Sequence, residues 1–409
     1  MANNRKAAVG FIFFTLVLDI IGLGIIIPVI PQLIEQLLGI HDISKASIYA
    51  GLLTFLYATM QFIFAPFIGS LSDKYGRRPV LLISLFGFGL DYLFLAFAPS
   101  ILFLFIGRAI SGVAGASVTT ATAYIADISD DTNRAQNFGM VGAAFGIGFI
   151  IGPMLGGVLG EFGPRVPFLV AAGLALINTL YGYFVLPESL DKEHRRNFEW
   201  KRANPLGALS HFKKYPAVIG LVVALAFIYL AAHAVQSNWS FANIEKFNWT
   251  PKTIGLSLGL VGLLVSLVQG LLIRYINPRL GNEKSVYIGL LLYATGLVLF
   301  AFATSTWMMF VFLVPYCLGG IAGPALQSII SAHVPKNEQG ELQGSLTSVM
   351  SVTSIIGPLV MTNLFAYFTN PKHAIYFPGA SFLLGAIFML FSAFIAYSVL
   401  KDEPQSAKA

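Results

Sequence analysis

The chain has 409 residues, 56% of them hydrophobic and only 11% charged, with a net charge of +6. A soluble domain carries about 25% charged residues, so this composition excludes an ordinary soluble protein and predicts a membrane protein. One cysteine, Cys317, excludes a disulfide framework and a thiolate metal site, and the positive charge does not predict nucleic-acid binding, because the cations cluster in short loops between apolar runs.

The chain opens on Met1-Ala-Asn-Asn-Arg5-Lys6, a basic start like that of a signal peptide. The apolar run behind it, 7–38, is too long for such a peptide and has no small-residue cleavage site, so it reads as an uncleaved first helix. Twelve apolar spans follow one another near 8–38, 48–70, 80–98, 101–127, 136–160, 167–187, 216–243, 252–275, 284–303, 307–333, 341–369 and 374–400. Each approaches or exceeds the ~20 residues a helix needs to cross a bilayer. Of the 25 Lys and Arg, nineteen fall at the face that also holds the N-terminus, five at the other, and Arg108 lies within a span. Short basic loops stay inside, so both termini are expected in the cytoplasm. The longest polar stretch divides the spans six and six. This predicts an N-terminal half over 1–187, a cytoplasmic linker over 188–215 and a C-terminal half over 216–409.

The halves resemble each other. Ser111-Gly112-Val-Ala-Gly115 in the fourth span matches Gly319-Gly320-Ile-Ala-Gly323 in the tenth. Gly152-Pro153 returns as Gly357-Pro358, and the Gly76 turn returns as Gly281, both 205 residues on. Two parallel repeats of six helices are one of the known transporter architectures. Between the second and third spans stands Gly69-Ser-Leu-Ser-Asp73-Lys74-Tyr75-Gly76-Arg77-Arg78. Taken alone, its charges read as a basic turn at the cytoplasmic face. The whole string fills every position of G-x-x-x-D-[RK]-x-G-R-[RK] and so resembles the second loop of the major facilitator superfamily. The fold expected is therefore an all-α membrane protein, with twelve transmembrane helices in two parallel pseudo-repeats of six.

A charge inside a membrane span is costly and marks a functional site by default. Asp19 in the first span, Asp91 in the third and Arg108 in the fourth are such charges. Asp91 and Arg108 each lie about eight residues from the turn at Pro99, hence at similar depth. They can form a static ion pair, or one carboxylate can take and release a proton. Asp19 has no obvious partner and is the stronger candidate for proton uptake. Asp127 closes the fourth span and faces the basic loop as a gate or a structural partner. His233, Gln236, Asn238, Gln61, Asn178, Gln269 and Gln327 add polar groups to other spans. They line a substrate cavity or bond from helix to helix. Gly148-Phe-Ile-Ile-Gly152-Pro153-Met-Leu-Gly156-Gly157 sets small residues at spacings that allow close helix crossing. The full string resembles the G-x-x-x-G-P-x-x-G-G motif of proton antiporters in the same superfamily.

A closer resemblance, to the bacterial tetracycline/proton antiporters, runs along nearly the whole length. It is carried by Leu18-Asp19-Ile-Ile-Gly22-Leu-Gly24, Pro28-Val-Ile-Pro31, Leu90-Asp91-Tyr92, Gly107-Arg108-Ala-Ile-Ser-Gly112, Ile125-Ala-Asp127, Pro324-Ala-Leu-Gln327 and Gln339-Gly340-Glu-Leu-Gln343-Gly344. The resemblance implies proton coupling by Asp19, Asp91 and Arg108, and gating by Asp73, Arg77 and Asp127. Those pumps also need an aspartate in the ninth span, where this chain has Tyr293.

The sequence holds no Walker loop, no His-Glu-x-x-His and no Gly-x-Ser-x-Gly, so an enzyme, a cofactor and a metal are not expected. The expected function is export of a small amphipathic or aromatic compound in exchange for protons, by a monomer in a bacterial inner membrane. The alternatives are a proton-coupled carrier of a sugar or other metabolite, and a non-transporting receptor that keeps the fold.

Overall fold

The computed structural model describes residues 2–129, 134–196, 215–335 and 338–401. Among the described residues the regular structure is all helix. Eleven helices are long and apolar enough to cross a bilayer, and a bent pair makes up to twelve. That pair is α1 (Ala2–Ile25) and α2 (Ile30–Leu38), with a 48° bend between them. The single span expected over 8–38 is thus broken. Pro28 and Pro31 both lack the N–H that a continuous helix needs, and Pro31 instead sits in the first turn of α2.

The chain continues with α3 (Ile43–Tyr75), α4 (Arg77–Ala96), α5 (Ile101–Gly115), α6 (Val118–Ile128), α7 (Arg134–Gly160) and α8 (Val166–Val185). Past residue 215 come α9 (Pro216–Phe247), α10 (Pro251–Leu267), a π turn (Val268–Leu272), α11 (Ile273–Leu280) and α12 (Asn282–Phe302). The last helices are α13 (Thr306–Leu318), α14 (Ala322–Ala332), α15 (Gln339–Thr369) and α16 (Ala380–Lys401). The fourth and tenth predicted spans are each interrupted near their repeated glycines. α5 gives way to α6 at Ala116 and Ser117, and a 3₁₀ turn, Gly319–Ile321, joins α13 to α14. Glycine weakens a helix interior, so both copies break at the same place. The twelfth span starts at Ala380 rather than 374, because Pro378 and Gly379 do not continue a helix backward.

The described residues fall into two compact units. The first draws on Met1–Asp42, Leu53–Pro205 and Trp249–Gly262, the second on Ile43–Leu52, Leu206–Asn248 and Leu263–Ala409. In the first unit α1 packs on α7 and α4 on α8. A Cβ at Gly148 would lie 2.5 Å from Cβ of Ile20, one at Gly152 2.9 Å from the carbonyl oxygen of Ile21, and one at Gly156 would overlap the carbonyl of Ile25. The two backbones therefore run almost in contact, which supplies dispersion energy where lipid gives no hydrophobic drive. Toward one end the same helices close over Phe11, Leu16, Ile21, Leu81, Tyr124 and Leu186. In the second unit α9 packs on α15 and α16, and the buried ring of Trp239 meets Phe300 edge-on at 5.1 Å.

Each repeat also caps the end of its third helix. Arg165 donates to the carbonyls of Ala96 and Ala98, at 2.7 and 2.9 Å. Lys246 donates to those of Phe300 and Ala301, both at 3.1 Å. A cation at a helix C-terminus meets the negative end of the helix dipole. Ala96 and Ala301 are again 205 positions apart, yet the two cations come from different elements.

Candidate functional site

The loop between α3 and α4 is built around Arg77, which is 8% exposed. Its Nη1 lies 2.6 Å from Oδ1 of Asp73, and its Nε lies 3.1 Å from Oδ2 of Asp127. Nη1 also donates to the hydroxyl of Ser72 at 2.6 Å. Asp73, Arg77 and Asp127, three residues far apart or one turn apart in sequence, thus form one ionic cluster. Such charge-assisted bonds are among the stronger ones, because the guanidinium fork satisfies two carboxylates at fixed geometry.

Glu188, just past α8, completes the cluster. One oxygen of its carboxylate accepts from the backbone N–H of Arg77 at 2.8 Å, the other from that of Arg78 at 3.2 Å. It also accepts from the N–H groups of Ser189 and Leu190. The hydroxyl of Ser189 donates to the Asp127 oxygen that Arg77 holds, at 3.0 Å. A carboxylate at the start of α4 meets free N–H groups and the positive end of the helix dipole. The approach requires Gly76. Its φ is 104°, and a Cβ there would overlap the carboxylate of Glu188. Sequence reading missed Glu188, since Pro187-Glu188-Ser189 at the end of a span looks like any solvated loop.

Deeper in the first unit lie the charges of the spans. Asp19 is partly exposed and has no hydrogen-bond or ion-pair partner among the described residues. Asp91 is 3% exposed, and neither carboxylate oxygen accepts a hydrogen bond of ordinary geometry, although Arg108 and the Ser111 hydroxyl are near. The static Asp91–Arg108 ion pair is therefore not what the structure holds. Equal depth on neighbouring helices did not bring the two heads together. Asp91 turns to the space left by Gly107, where its Oδ1 is 3.0 Å from the position of a Cβ. Arg108 instead lies with Cζ 6.0 Å from the ring centre of Tyr57, within range of a cation–π interaction. Tyr57 and Tyr92 both feel the charges of Asp19, Asp91 and Arg108. Sequence reading gave neither phenol a role: Tyr57 is one of 16 Tyr in the chain, and Tyr92 entered only as a neighbour of Asp91.

The helix-α7 motif is met from two sides. Gly148, Gly152 and Gly156 face α1, while a Cβ at Gly24 would lie 2.8 Å from the ring of Pro153. Gly157 faces α10, where its Cβ would be 2.6 Å from the carbonyl oxygen of Pro251 and 3.0 Å from Cα of Gly255. The turn of α1 that follows Asp19 thus lies directly on the motif.

The polar residues expected to line a cavity are placed variously. In the first unit Gln61 donates to the carbonyl of Gly115 at 3.1 Å, at the α5–α6 break. Asn178 is 1% exposed and accepts from Thr15 at 3.3 Å. In the second unit His233 packs against Gly357, and Asn238 is fully buried with both amide atoms unpartnered. Gln236 and Gln269 are exposed, the latter within the π turn. Gln327 donates to the hydroxyl of Tyr229 at 2.9 Å. Tyr293 stacks edge-on against Tyr316 at 5.0 Å and lies against Gly319. No group of residues able to hold a metal occurs among those described.

Spans of this number, with repeated breaks and lone charges inside the helices, define a multi-pass helical membrane protein. The Major Facilitator Superfamily profile matches residues 12–278 and 227–409. The class C tetracycline resistance protein of Escherichia coli is 40% identical over 366 residues, 90% of this chain and 91% of that protein. The class G tetracycline resistance protein of Vibrio anguillarum is 39% identical, over 85% of this chain and 88% of that protein. Among solved structures, a bacterial homolog of the human lysosomal transporter Spinster superposes with a TM-score of 0.80 at 14% identity, over 98% of this chain and 97% of that one. The chain belongs to the Major Facilitator Superfamily, beside the bacterial tetracycline resistance proteins.

Proposed function

We propose that this antiporter exports tetracycline-like amphipathic compounds, with Asp19 as the group that takes up and releases the proton. The observation that carries the reading is the unpartnered carboxyl of Asp19, one turn before Gly22 on the helix that rides the α7 motif. A carboxylate there is costly as an anion and is stabilised by a proton or by a cationic ligand. Asp91 and Arg108 complete the coupling set. Asp73, Arg77 and Asp127 act as a gate, and the face of the protein that holds them lies in the cytoplasm with both termini. The protein works as a monomer in the inner membrane, with six-helix halves over 1–187 and 216–409 joined by 188–215, through alternating access. Gln61 and Asn178 in the first half and His233, Gln236, Asn238, Gln269, Tyr293 and Gln327 in the second contact substrate in one or another state of the cycle.

The test is a proteoliposome assay with an imposed pH gradient, a pH-sensitive dye and a panel of tetracyclines, fluoroquinolones and lipophilic cations. Proton release on adding a tetracycline, absent in Asp19→Asn, is the expected result. Release that persists in the variant rejects Asp19 as the proton carrier. A second reading, export of a different aromatic compound, is favoured by Tyr293, which puts an aromatic ring where the resembling pumps have an acid. A response to a fluoroquinolone but not to a tetracycline selects it.

A further inference from the structure

The hydroxyl of Tyr92 is unspent. It makes no hydrogen bond among the described residues, although Tyr92 is only 4% exposed and its ring stacks on Phe88 at 6.2 Å. It sits 2.8 Å from the point where a Cβ would stand on Gly22. Gly22 is three residues from Asp19, so the two share a face of α1, and neighbours at that spacing have Cβ positions ~5–6 Å apart. Tyr92 is also the residue next to Asp91 on α4. Among the described residues, the ionisable groups around it are Asp19 from α1, Tyr57 from α3, Asp91 from its own helix and Arg108 from α5. A phenol is both donor and acceptor. It can donate to whichever neighbouring carboxylate is ionised and accept from one that is protonated.

We propose that Tyr92, admitted by the missing side chain of Gly22, is a positioning residue that couples the carboxyl of Asp19 to Asp91 and Arg108. This rests on the reading of Asp19 as the proton carrier. Gly22 has a specific part in it, since any Cβ there pushes the hydroxyl away from the Asp19 turn. The phenol links α1 to the α4–α5 charges without a salt bridge, so protonation of one carboxyl is sensed at the other.

Tyr92→Phe keeps the ring and its stacking and removes only the hydroxyl. In the full-length protein in proteoliposomes, the maximal rate of proton-driven export is expected to fall about tenfold, with KM for the drug changed less than about twofold. The pH of half-maximal rate moves by about one unit. Gly22→Ala gives the same change, and the double variant is no slower than the slower single. Asp19→Asn runs alongside. If Asp19→Asn abolishes coupling while Tyr92→Phe keeps the wild-type rate and pH profile, the inference is wrong and the proton-carrier reading stands. If Asp19→Asn remains coupled, that reading falls and the inference with it. A rate loss in Tyr92→Phe with an unmoved pH profile, or effects of the two single variants that multiply, assigns Tyr92 a packing role and overturns the inference.

Discussion

Asp91 shows how far a single residue departs from what stability alone would select. A buried carboxylate with neither oxygen partnered is a cost that a neutral amide of the same shape avoids. Asp91→Asn is therefore expected to leave the melting temperature of the purified protein equal or higher, while proton-driven export drops at least about tenfold. A variant that loses stability and transport together would make Asp91 a structural residue. Arg77 is the opposite case, since two carboxylates and the Ser72 hydroxyl hold its Nε and Nη1. The charged types at 19, 73, 77, 91, 108 and 127 stand out in the sequence because such groups are rare in or beside apolar spans. Where each head points could not be read there: Arg108 lies toward Tyr57, and Asp91 turns to the space left by Gly107 on the facing helix.

At the scale of the element, the start of α4 is held by a residue 111 positions away. Glu188 accepts the first N–H groups of the helix, and Gly76 makes room for it. Glu188→Ala is expected to cost about 1–2 kcal/mol, the usual worth of a cap, read as a fall in melting temperature. Gly76→Ala costs ~1–3 kcal/mol from its φ alone and adds the collision with Glu188. If Glu188→Ala melts as the wild type does, the cap contributes nothing to stability. The bend between α1 and α2 belongs to this scale too. Its two prolines are plain in the sequence, but a hydropathy run does not reveal that a helix turns by 48° within it.

For the whole molecule, the charge asymmetry of the loops predicts sidedness. In a Cys317→Ser background, Lys372→Cys is expected to react with a membrane-impermeant maleimide in intact cells. Lys74→Cys is expected to react only after permeabilisation. Labelling of Lys74→Cys in intact cells would invert the topology. The repeat underlies the rest of the architecture. Breaks at Ala116 and Gly319, turns at Gly76 and Gly281 and capped carbonyls at Ala96 and Ala301 recur at nearly constant spacing. The contacts made by the two copies have diverged. Arg77 holds Asp127, whereas Asn282, 205 positions on, donates to Ser328 at 3.2 Å.

The sequence by itself determined the membrane, the twelve apolar spans, the repeat and the family, because bilayer thickness and backbone desolvation impose length and composition on every span. It also marked the charges inside the spans as candidates for function, since such groups are costly in a bilayer and stand out against apolar neighbours. Only the tertiary structure decided which groups meet. It brought Glu188 to Gly76, set Tyr92 against Gly22 and left Asp91 without Arg108, because contacts between helices depend on where small residues let backbones approach, and no pattern along one helix records the face of its neighbour.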